Sequence, residues 1–284
     1  MDRLLSESSM RDHPLTPMRD PDLVRVLGRQ TQSKIGLVPF VAVDAGVEQT
    51  CAAIKKLQAE SVRMAVLDAV LDRHIDSAAI ACREMRLVTG GAALGGALGA
   101  IGHASGAGLI AANRPAEGAI AFLSGSCSTM TRAQVAALVA HVPSFMIDPL
   151  ALAADAGMVG DIIDWAIEQA KRGDFLVYST VDPTGLEAIQ EQLGRGPAAA
   201  SLENAFGRIA RALAEAGTRK FVVAGGETSG AVTQALGVQM MTFGEELAPG
   251  VPRAFTLEPE GFLLVLKSGN FGETDFFLRA RGAL

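Results

Sequence analysis

The sequence has 284 residues, a formal net charge of −6 and 49% hydrophobic residues. This length suits one large or two modest domains with a substantial buried core, and the hydrophobic content excludes a disordered chain. The acidic balance argues against a nucleic-acid partner, because neutralising a phosphate backbone requires clustered lysine and arginine. The chain also has 31 glycines, against about 20 expected from average usage, so we expect functional glycine loops.

Neither a secretory leader nor a membrane span is expected. Residues 1–7 mix charged and apolar side chains, whereas a signal peptide needs a continuous apolar region. The uncharged stretch at 92–113 contains six glycines and is rich in alanine, which favours a close-packed buried segment or an inter-domain connection over a membrane helix. Cys51, Cys82 and Cys127 are odd in number and lack CxxC spacing, which indicates free thiols, a cytoplasmic location and no zinc site.

Short apolar runs alternate with helical patterns along most of the chain. Strands are expected at 35–40, 62–67, 87–89, 119–123, 145–147, 175–179, 221–224 and 262–266. Helices are expected at 47–60, 75–84, 132–141, 157–172, 185–193 and 202–217. Continuous apolar strands between helices are typical of a mainly parallel sheet buried on both faces. The expected fold class is therefore α/β.

Two α/β domains are expected, with residues 1–95 in the first and residues 115–284 in the second. The first domain offers only three strands, and its start at 2–29 is polar and contains three prolines, which resist regular structure. This first domain therefore has the appearance of the incomplete, C-terminal part of a larger one.

The most informative segment is the expected strand at 221–224, which continues into Gly225-Gly226-Glu227-Thr228-Ser229-Gly230. A buried strand that ends in a glycine turn before a helix directs free N–H groups and the positive helix end at one spot, which suits phosphate. The hydroxyls of Thr228 and Ser229 can donate to phosphate oxygens or help to hold magnesium. The alternative is an ordinary turn in which Thr228 caps the helix.

Two further strand ends favour the nucleotide interpretation. Residues 124–131 carry five hydroxyl side chains, and the strand at 262–266 leads into Lys267-Ser268-Gly269-Asn270-Phe271-Gly272. The ammonium of Lys267 can neutralise phosphate charge. Open parallel sheets bind ligands outside the carboxyl ends of their strands, so we expect the three loops to form a nucleotide site.

The sequence resembles the four-carbon acid sugar kinases. The resemblance rests on SGSCSTMTRAQ at 124–134, VVAGGETSGAV at 222–232, PGVP at 249–252, KSGNFG at 267–272, LLSESSMRDHPLTPM at 4–18 and VTGG at 88–91. It implies an N-terminal domain that holds the acid sugar, a tetronate or 3-oxo-tetronate, and a C-terminal domain that holds ATP with Mg²⁺. It also implies a set of ATP contacts: Ser124, Gly226, Glu227, Thr228, Ser229 and Gly269.

The sequence also departs from the pattern of this family. Similar family members begin with a strand and a DDFTGA-type motif that contributes to the sugar site, and this sequence has no such segment. We therefore expect an N-terminally truncated chain that binds nucleotide, has little kinase activity alone and forms a homodimer that covers the exposed sheet edge. The alternative is a nucleotide-binding fragment or non-catalytic module.

Three residues of the first domain are candidates for the sugar half. Arg11 and His13 can bind a sugar carboxylate, the arginine through its bidentate fork, or they can belong to a solvated arm. Asp68 follows the strand at 62–67, where catalytic carboxylates often lie, yet helix N-capping explains such an aspartate equally well. With Lys267, Asp68 is the expected catalytic residue.

Overall fold

The computed structural model describes residues 4–8, 11, 17–102, 116–155, 157–180 and 195–284. The chain divides into two compact units, Met1–Ala107 (unit 1) and Gly108–Leu284 (unit 2). Unit 1 has a parallel sheet and unit 2 a mainly parallel one, and each has its own hydrophobic core. The predicted α/β class with mainly parallel sheets is confirmed.

Unit 1 is built on a two-stranded parallel sheet. Its elements are α1 (Leu23–Gly28), β1 (Ile35–Val38), α2 (Phe40–Asp44), α3 (Val47–Ala59), β2 (Met64–Leu67), α4 (Asp72–Cys82) and α5 (Ala92–Ile101). Ile35 pairs with Met64 and Val38 with Leu67. Val38, Val43 and Ile54 form the buried cluster beside this sheet. Both strands end at the same edge, as a β-α-β connection requires.

Several expectations for unit 1 are wrong. Residues 87–89 form no strand: the described sheet of unit 1 contains β1 and β2, and Leu87 is 83% exposed rather than packed in a core. The start of the chain is not irregular throughout, since the Asp22 carboxylate accepts a hydrogen bond from Arg25 N and caps α1. Helix α5 has no buried residue, so its residues are not the buried segment expected at 92–113. No described helix has the length and apolar character to cross a membrane.

Unit 2 contains one seven-stranded sheet with the strand order β4-β5-β3-β6-β9-β8-β7. Its elements are β3 (Ile120–Ser124), α6 (Thr129–Val139), β4 (Ser144–Met146), α7 (Pro149–Ala154), α8 (Met158–Ala170), β5 (Phe175–Tyr178), α9 (Arg195–Glu215), β6 (Lys220–Ala224), α10 (Gly226–Ala235), β7 (Met240–Ala248), β8 (Val251–Glu258), β9 (Glu260–Lys267) and α11 (Phe276–Ala283). Strands β3, β4, β5, β6 and β9 are parallel, and β8 runs antiparallel to β7 and β9. The helix expected at 185–193 lies outside the described residues.

Side chains alternate between two cores on opposite faces of this sheet. In β6, Phe221 and Val223 face the cluster formed with α7, α8, α9 and α10, whereas Val222 and Ala224 face the cluster formed with α6 and α11. The strand register brings four last residues, Tyr178, Ser124, Ala224 and Lys267, into one row across the sheet. The loops that follow these residues therefore leave the sheet side by side.

The β7-β8 hairpin was not predicted from the sequence. Five of the nine residues of β7 are exposed, and Glu245, Glu246, Pro252 and Arg253 give the hairpin weak strand character. Register shifts interrupt the pairing of the two strands, so it lacks the plain alternation that marks a strand. The hairpin extends the parallel strands by an antiparallel edge.

Candidate nucleotide site

Three loops follow the row of strand ends in unit 2. Loop 1 is residues 125–128, loop 2 is Gly225, and loop 3 is residues 268–275. Gly125 N donates to the Ala224 carbonyl at 3.1 Å, and Gly225 N donates to the Lys267 carbonyl at 2.9 Å. These bonds continue the sheet for one residue beyond β3 and β6 and hold the three loops next to one another.

Ser126 is the residue at which the loops meet. A Cβ added to Gly225, which has φ +119, would lie 3.3 Å from Ser126 N. A Cβ added to Gly269 would lie 2.6 Å from Ser126 Oγ. Gly225 thus supplies a left-handed conformation that other residues rarely adopt, and Gly269 permits an approach that no side chain would allow. The predicted convergence of the loops is therefore present in the fold.

The meeting point is rich in unused donors. None of the hydrogen bonds between described residues uses the backbone N–H groups of Ser126, Gly226, Glu227, Gly269 or Asn270. Gly226 and Glu227 begin α10, so their N–H groups have no partner within the helix. The positive end of the α10 dipole lies at the same place. Such a set of amides is suited to binding an anion.

The predicted hydroxyl residues of the site differ in how deeply they are buried. Ser124 is buried, and its Oγ lies 3.2 Å from Thr180 Oγ1. Thr228 is also buried, beneath loop 1, where a Cβ on Gly125 would collide with Thr228 Oγ1. Thr228 does not cap α10, because the N-cap residue is Gly225. Ser229 Oγ is buried and has no hydrogen-bond partner in the described part of the chain.

Lys267 lies beneath the loops rather than at their surface. It is 1% exposed, and its Nζ donates to Thr131 Oγ1 at 2.9 Å, Gly269 O at 2.9 Å and Ser268 O at 3.1 Å. The ammonium also lies 5.9 Å from the centre of the Phe277 ring. Burial lowers the pKa of Lys267 to about 8, because a charged group loses its hydration there. Its direct contact with phosphate stays a prediction, since all three donors already have acceptors.

Helix α6 holds loop 3 through side chains that sequence reasoning did not single out. The Gly269 carbonyl accepts from Ser128 Oγ at 2.6 Å and from Thr131 Oγ1 at 2.7 Å. One turn further along, Gln134 Nε2 lies 2.8–3.2 Å from the carbonyls of residues 271–273. The three-residue spacing of Ser128, Thr131 and Gln134, which places them on one helix face, was the available signal.

A cleft of about 260 Å³ lies beside loop 3. It is lined by Met130, Ala248, Pro249, Asn270, Gly272, Glu273 and Arg279. The turn of the β7-β8 hairpin forms one wall, and Gly250 in that turn has φ +75 and is packed against the Phe271 ring. The PGVP and KSGNFG motifs are therefore in contact, which the sequence alone did not indicate.

In unit 1, Asp68 lies at the carboxyl end of β2. Its N–H donates to the Val38 carbonyl at 3.1 Å, while no hydrogen bond between described residues uses its carboxylate. Asp68 does not cap α4, because the N-cap residue of that helix is Leu71. The N-capping alternative is therefore wrong, and the carboxylate is available for another role.

The loop after Asp68 is fixed by a buried histidine. His74 Nδ1 accepts from Val70 N at 3.1 Å and from Leu71 N at 3.2 Å, and its Nε2 lies 3.0 Å from Asp44 Oδ1. Because Nδ1 accepts, the ring proton is on Nε2 and is donated to Asp44. The pKa of Asp44 is lowered by this bond and by Arg73. His74 thus has a structural role here.

The two other candidates of unit 1 are Arg11 and His13. Arg11 is exposed, and its Nη1 donates to the Ser6 carbonyl at 3.3 Å. His13 lies outside the described residues. No group of three metal-binding side chains occurs among the described His, Cys, Asp and Glu residues, and Cys51, Cys82 and Cys127 form no disulfide.

Comparisons with known proteins agree with this division of the chain. Residues 1–98 match a family described as a sugar-binding N-terminal domain, and residues 121–277 match one described as a nucleotide-binding C-terminal domain. The chain is 45% identical to a 3-oxo-tetronate kinase of Pseudomonas fluorescens and 44% identical to one of Burkholderia multivorans, over 100% of its length in both cases. The chain belongs to the four-carbon acid sugar kinase family. It spans about two thirds of the length of these two kinases, 66% and 67% respectively.

A solved structure of a related protein has the same fold. A protein of Salmonella typhimurium, described as a putative tRNA synthase, is 38% identical and superposes with a TM-score of 0.80. The match covers 100% of this chain and 68% of that protein. Family membership thus rests on the sequence comparisons, and the fold is shared with a solved structure.

Proposed function

We propose that this protein is an ATP-dependent kinase that phosphorylates a four-carbon acid sugar of the tetronate or 3-oxo-tetronate type. Membership of the acid sugar kinase family supports the reaction class. The single observation that carries the proposal is the set of unused amide donors where the three loops of unit 2 meet. The proposal includes a cytoplasmic location, in keeping with three cysteines that form no disulfide, and formation of a homodimer stays a prediction.

The nucleotide half of the reaction is assigned to unit 2. The N–H groups of Gly226, Glu227 and Gly269 would bind the phosphates, and the unpartnered Ser229 hydroxyl would add one donor. Amides fixed in this way stabilise charge without reorganising during the reaction. The buried hydroxyls of Ser124 and Thr228 would support the loops from below.

The donors present also fit magnesium that arrives with ATP. Glu227 presents an exposed side chain on the first turn of α10. Mg²⁺ prefers oxygen ligands and is bound through a few protein groups together with substrate phosphates. The metal would neutralise phosphate charge, and Glu227 would be held near it rather than repelled by the nucleotide.

The acceptor half is assigned to unit 1. The Asp68 carboxylate would orient a sugar hydroxyl and take its proton as that oxygen bonds to the γ-phosphorus. The bond between this phosphorus and the β,γ-bridging oxygen then breaks, which leaves ADP and a phosphorylated sugar. Arg11 and His13 would bind the sugar carboxylate.

Calorimetry with ADP and with a non-hydrolysable ATP analogue, in the presence of Mg²⁺, tests the nucleotide half. A coupled assay of ADP release with a panel of tetronates and 3-oxo-tetronates tests the kinase half. Little turnover is expected of the chain alone, and Asp68→Asn is expected to lower the measured turnover about 100-fold or more. Absence of nucleotide binding by folded protein contradicts the whole proposal. Binding without turnover on any acid sugar would identify the chain as a nucleotide-binding module.

A further inference from the structure

The ammonium of Lys267 is buried without a carboxylate to pair with it. No ion pair between described residues includes it, and its three hydrogen bonds end on one hydroxyl and two backbone carbonyls. A buried charge that is not paired is costly, so a position of this kind requires explanation beyond packing. The hydrogen bonds show what the charge does in the fold.

Two of the three hydrogen bonds of the ammonium end on Ser268 and Gly269, the first residues of loop 3, and the third ends on Thr131, which itself donates to Gly269. The Gly269 carbonyl accepts from Lys267 Nζ, Thr131 Oγ1 and Ser128 Oγ within 2.6–2.9 Å. These three bonds fix the orientation of the Gly269 carbonyl. Among the described residues, the N–H groups of Gly269 and Asn270 then have no hydrogen-bond acceptor. Charge-assisted bonds are stronger than neutral ones, so the shape of loop 3 depends on the proton of Lys267.

We infer that protonated Lys267 is a positioning residue that holds loop 3 in its nucleotide-binding shape, so that nucleotide affinity depends on pH. This inference rests on the proposed nucleotide site. Loss of the proton removes the charge-assisted bonds to Gly269 and Thr131 and also removes a positive charge below the phosphates. A bound nucleotide therefore favours the protonated form, and binding takes up a proton.

The burial of the ammonium sets the pH range over which affinity is expected to change. Burial lowers the pKa of Lys267 to about 8, so in the free protein the proton is lost as pH rises through 8. If only the protonated form binds, the apparent Kd rises by the inverse of the protonated fraction, which is about tenfold between pH 7 and pH 9. The other charged or titratable side chains on the surrounding loops and helices are Cys127, Arg132, Glu227, Glu273, Asp275, Arg279 and Arg281.

Among the side-chain types in this set, only a cysteine thiol ordinarily titrates within that range. The variant Cys127→Ser separates its contribution, and it is expected to keep the pH dependence of the native protein. Lys220 provides a matched control, because it is the first residue of β6 in the same sheet and its Nζ donates to the Leu284 carbonyl at 2.8 Å. Lys220→Met is expected to leave both affinity and pH dependence unchanged.

The experiment is calorimetry of ADP binding to the full chain between pH 7 and pH 9.5, in buffers of different ionisation enthalpy. The native protein is expected to take up about half a proton at pH 8, as half of the free lysines are unprotonated there. Lys267→Met is expected to bind more weakly at pH 7 and to show no proton uptake.

Two outcomes overturn the inference: native protein that binds ADP without proton uptake, or a Lys267→Met variant that keeps the native pH dependence. If Lys267→Met does not fold, the proton uptake of the native protein and of Cys127→Ser still tests the inference. Failure of the native protein to bind ADP at any pH would instead contradict the proposed nucleotide site itself.

Discussion

At the scale of single residues, two glycines of the site differ in what surrounds them. A Cβ added to Gly226 meets no atom within 4 Å, whereas a Cβ added to Gly269 would lie 2.6 Å from Ser126 Oγ and 2.9 Å from Ser128 Cβ. A side chain at residue 226 thus projects into the open space that the nucleotide would occupy. A side chain at residue 269 instead displaces the loops themselves.

Gly226→Val is therefore expected to abolish nucleotide binding and leave the melting temperature within about 2 °C of the native value. Gly269→Ala is expected to lower both affinity and melting temperature. Gly230→Ala is the control, because Gly230 lies in the same helix with open space around it and alanine favours a helix. Calorimetry and thermal denaturation measure these effects, and native affinity in Gly226→Val would place the phosphates elsewhere.

At the scale of the elements, α6 fixes loop 3 by its side chains. Gln134 is fully buried, and its Nε2 is the shared donor to the carbonyls of Phe271, Gly272 and Glu273. Gln134→Leu keeps the volume but removes the donor shared by these three carbonyls, so the free energy of unfolding is expected to fall by about 0.5–1.5 kcal/mol. Nucleotide affinity is expected to fall as well.

Urea denaturation measures the loss for Gln134→Leu, and Thr129→Ala on the exposed start of the same helix serves as the control. Thr129→Ala is expected to change the free energy of unfolding by less than about 0.5 kcal/mol. Equal stability of the two variants would mean that loop 3 keeps its shape without Gln134.

The sequence predicted the elements that have a local pattern and missed the contacts between elements that are distant in the chain. Strand β6 and the turn at Gly225 were predictable, because a fully apolar run that ends in two glycines is a local pattern. The hydrogen bonds of Thr131 and Gln134 to loop 3 join residues more than 130 positions apart, so no local pattern reveals them. Burial of Lys267 was missed for the same reason, since a lysine in a glycine-rich motif has no local mark of burial.

At the scale of the whole molecule, unit 2 contains every group assigned to nucleotide binding. It has its own seven-stranded sheet and a hydrophobic cluster on each face of it. A domain with its own core can fold alone. Residues 108–284 expressed by themselves are therefore expected to fold and to bind ADP with a Kd within about threefold of that of the full chain.

Circular dichroism and calorimetry of the fragment test this expectation, with the Gly226→Val fragment as the non-binding control. ADP at 100 times its Kd should stabilise the fragment by about 2.7 kcal/mol. A folded fragment that does not bind ADP would show that unit 1 contributes to the nucleotide site.

The strand order of unit 2 has a consequence for how the site can change over evolutionary time. The neighbouring strands β3 and β6 continue into helices on opposite faces of the sheet, α6 against one core and α10 against the other. Where adjacent connections diverge in this way, the backbone itself opens a crevice at the switch in winding direction. The location of the ligand is then a property of chain topology, whereas its identity depends on the loops. Substitutions in the loops can alter which phosphate compound is held while the place of binding stays the same.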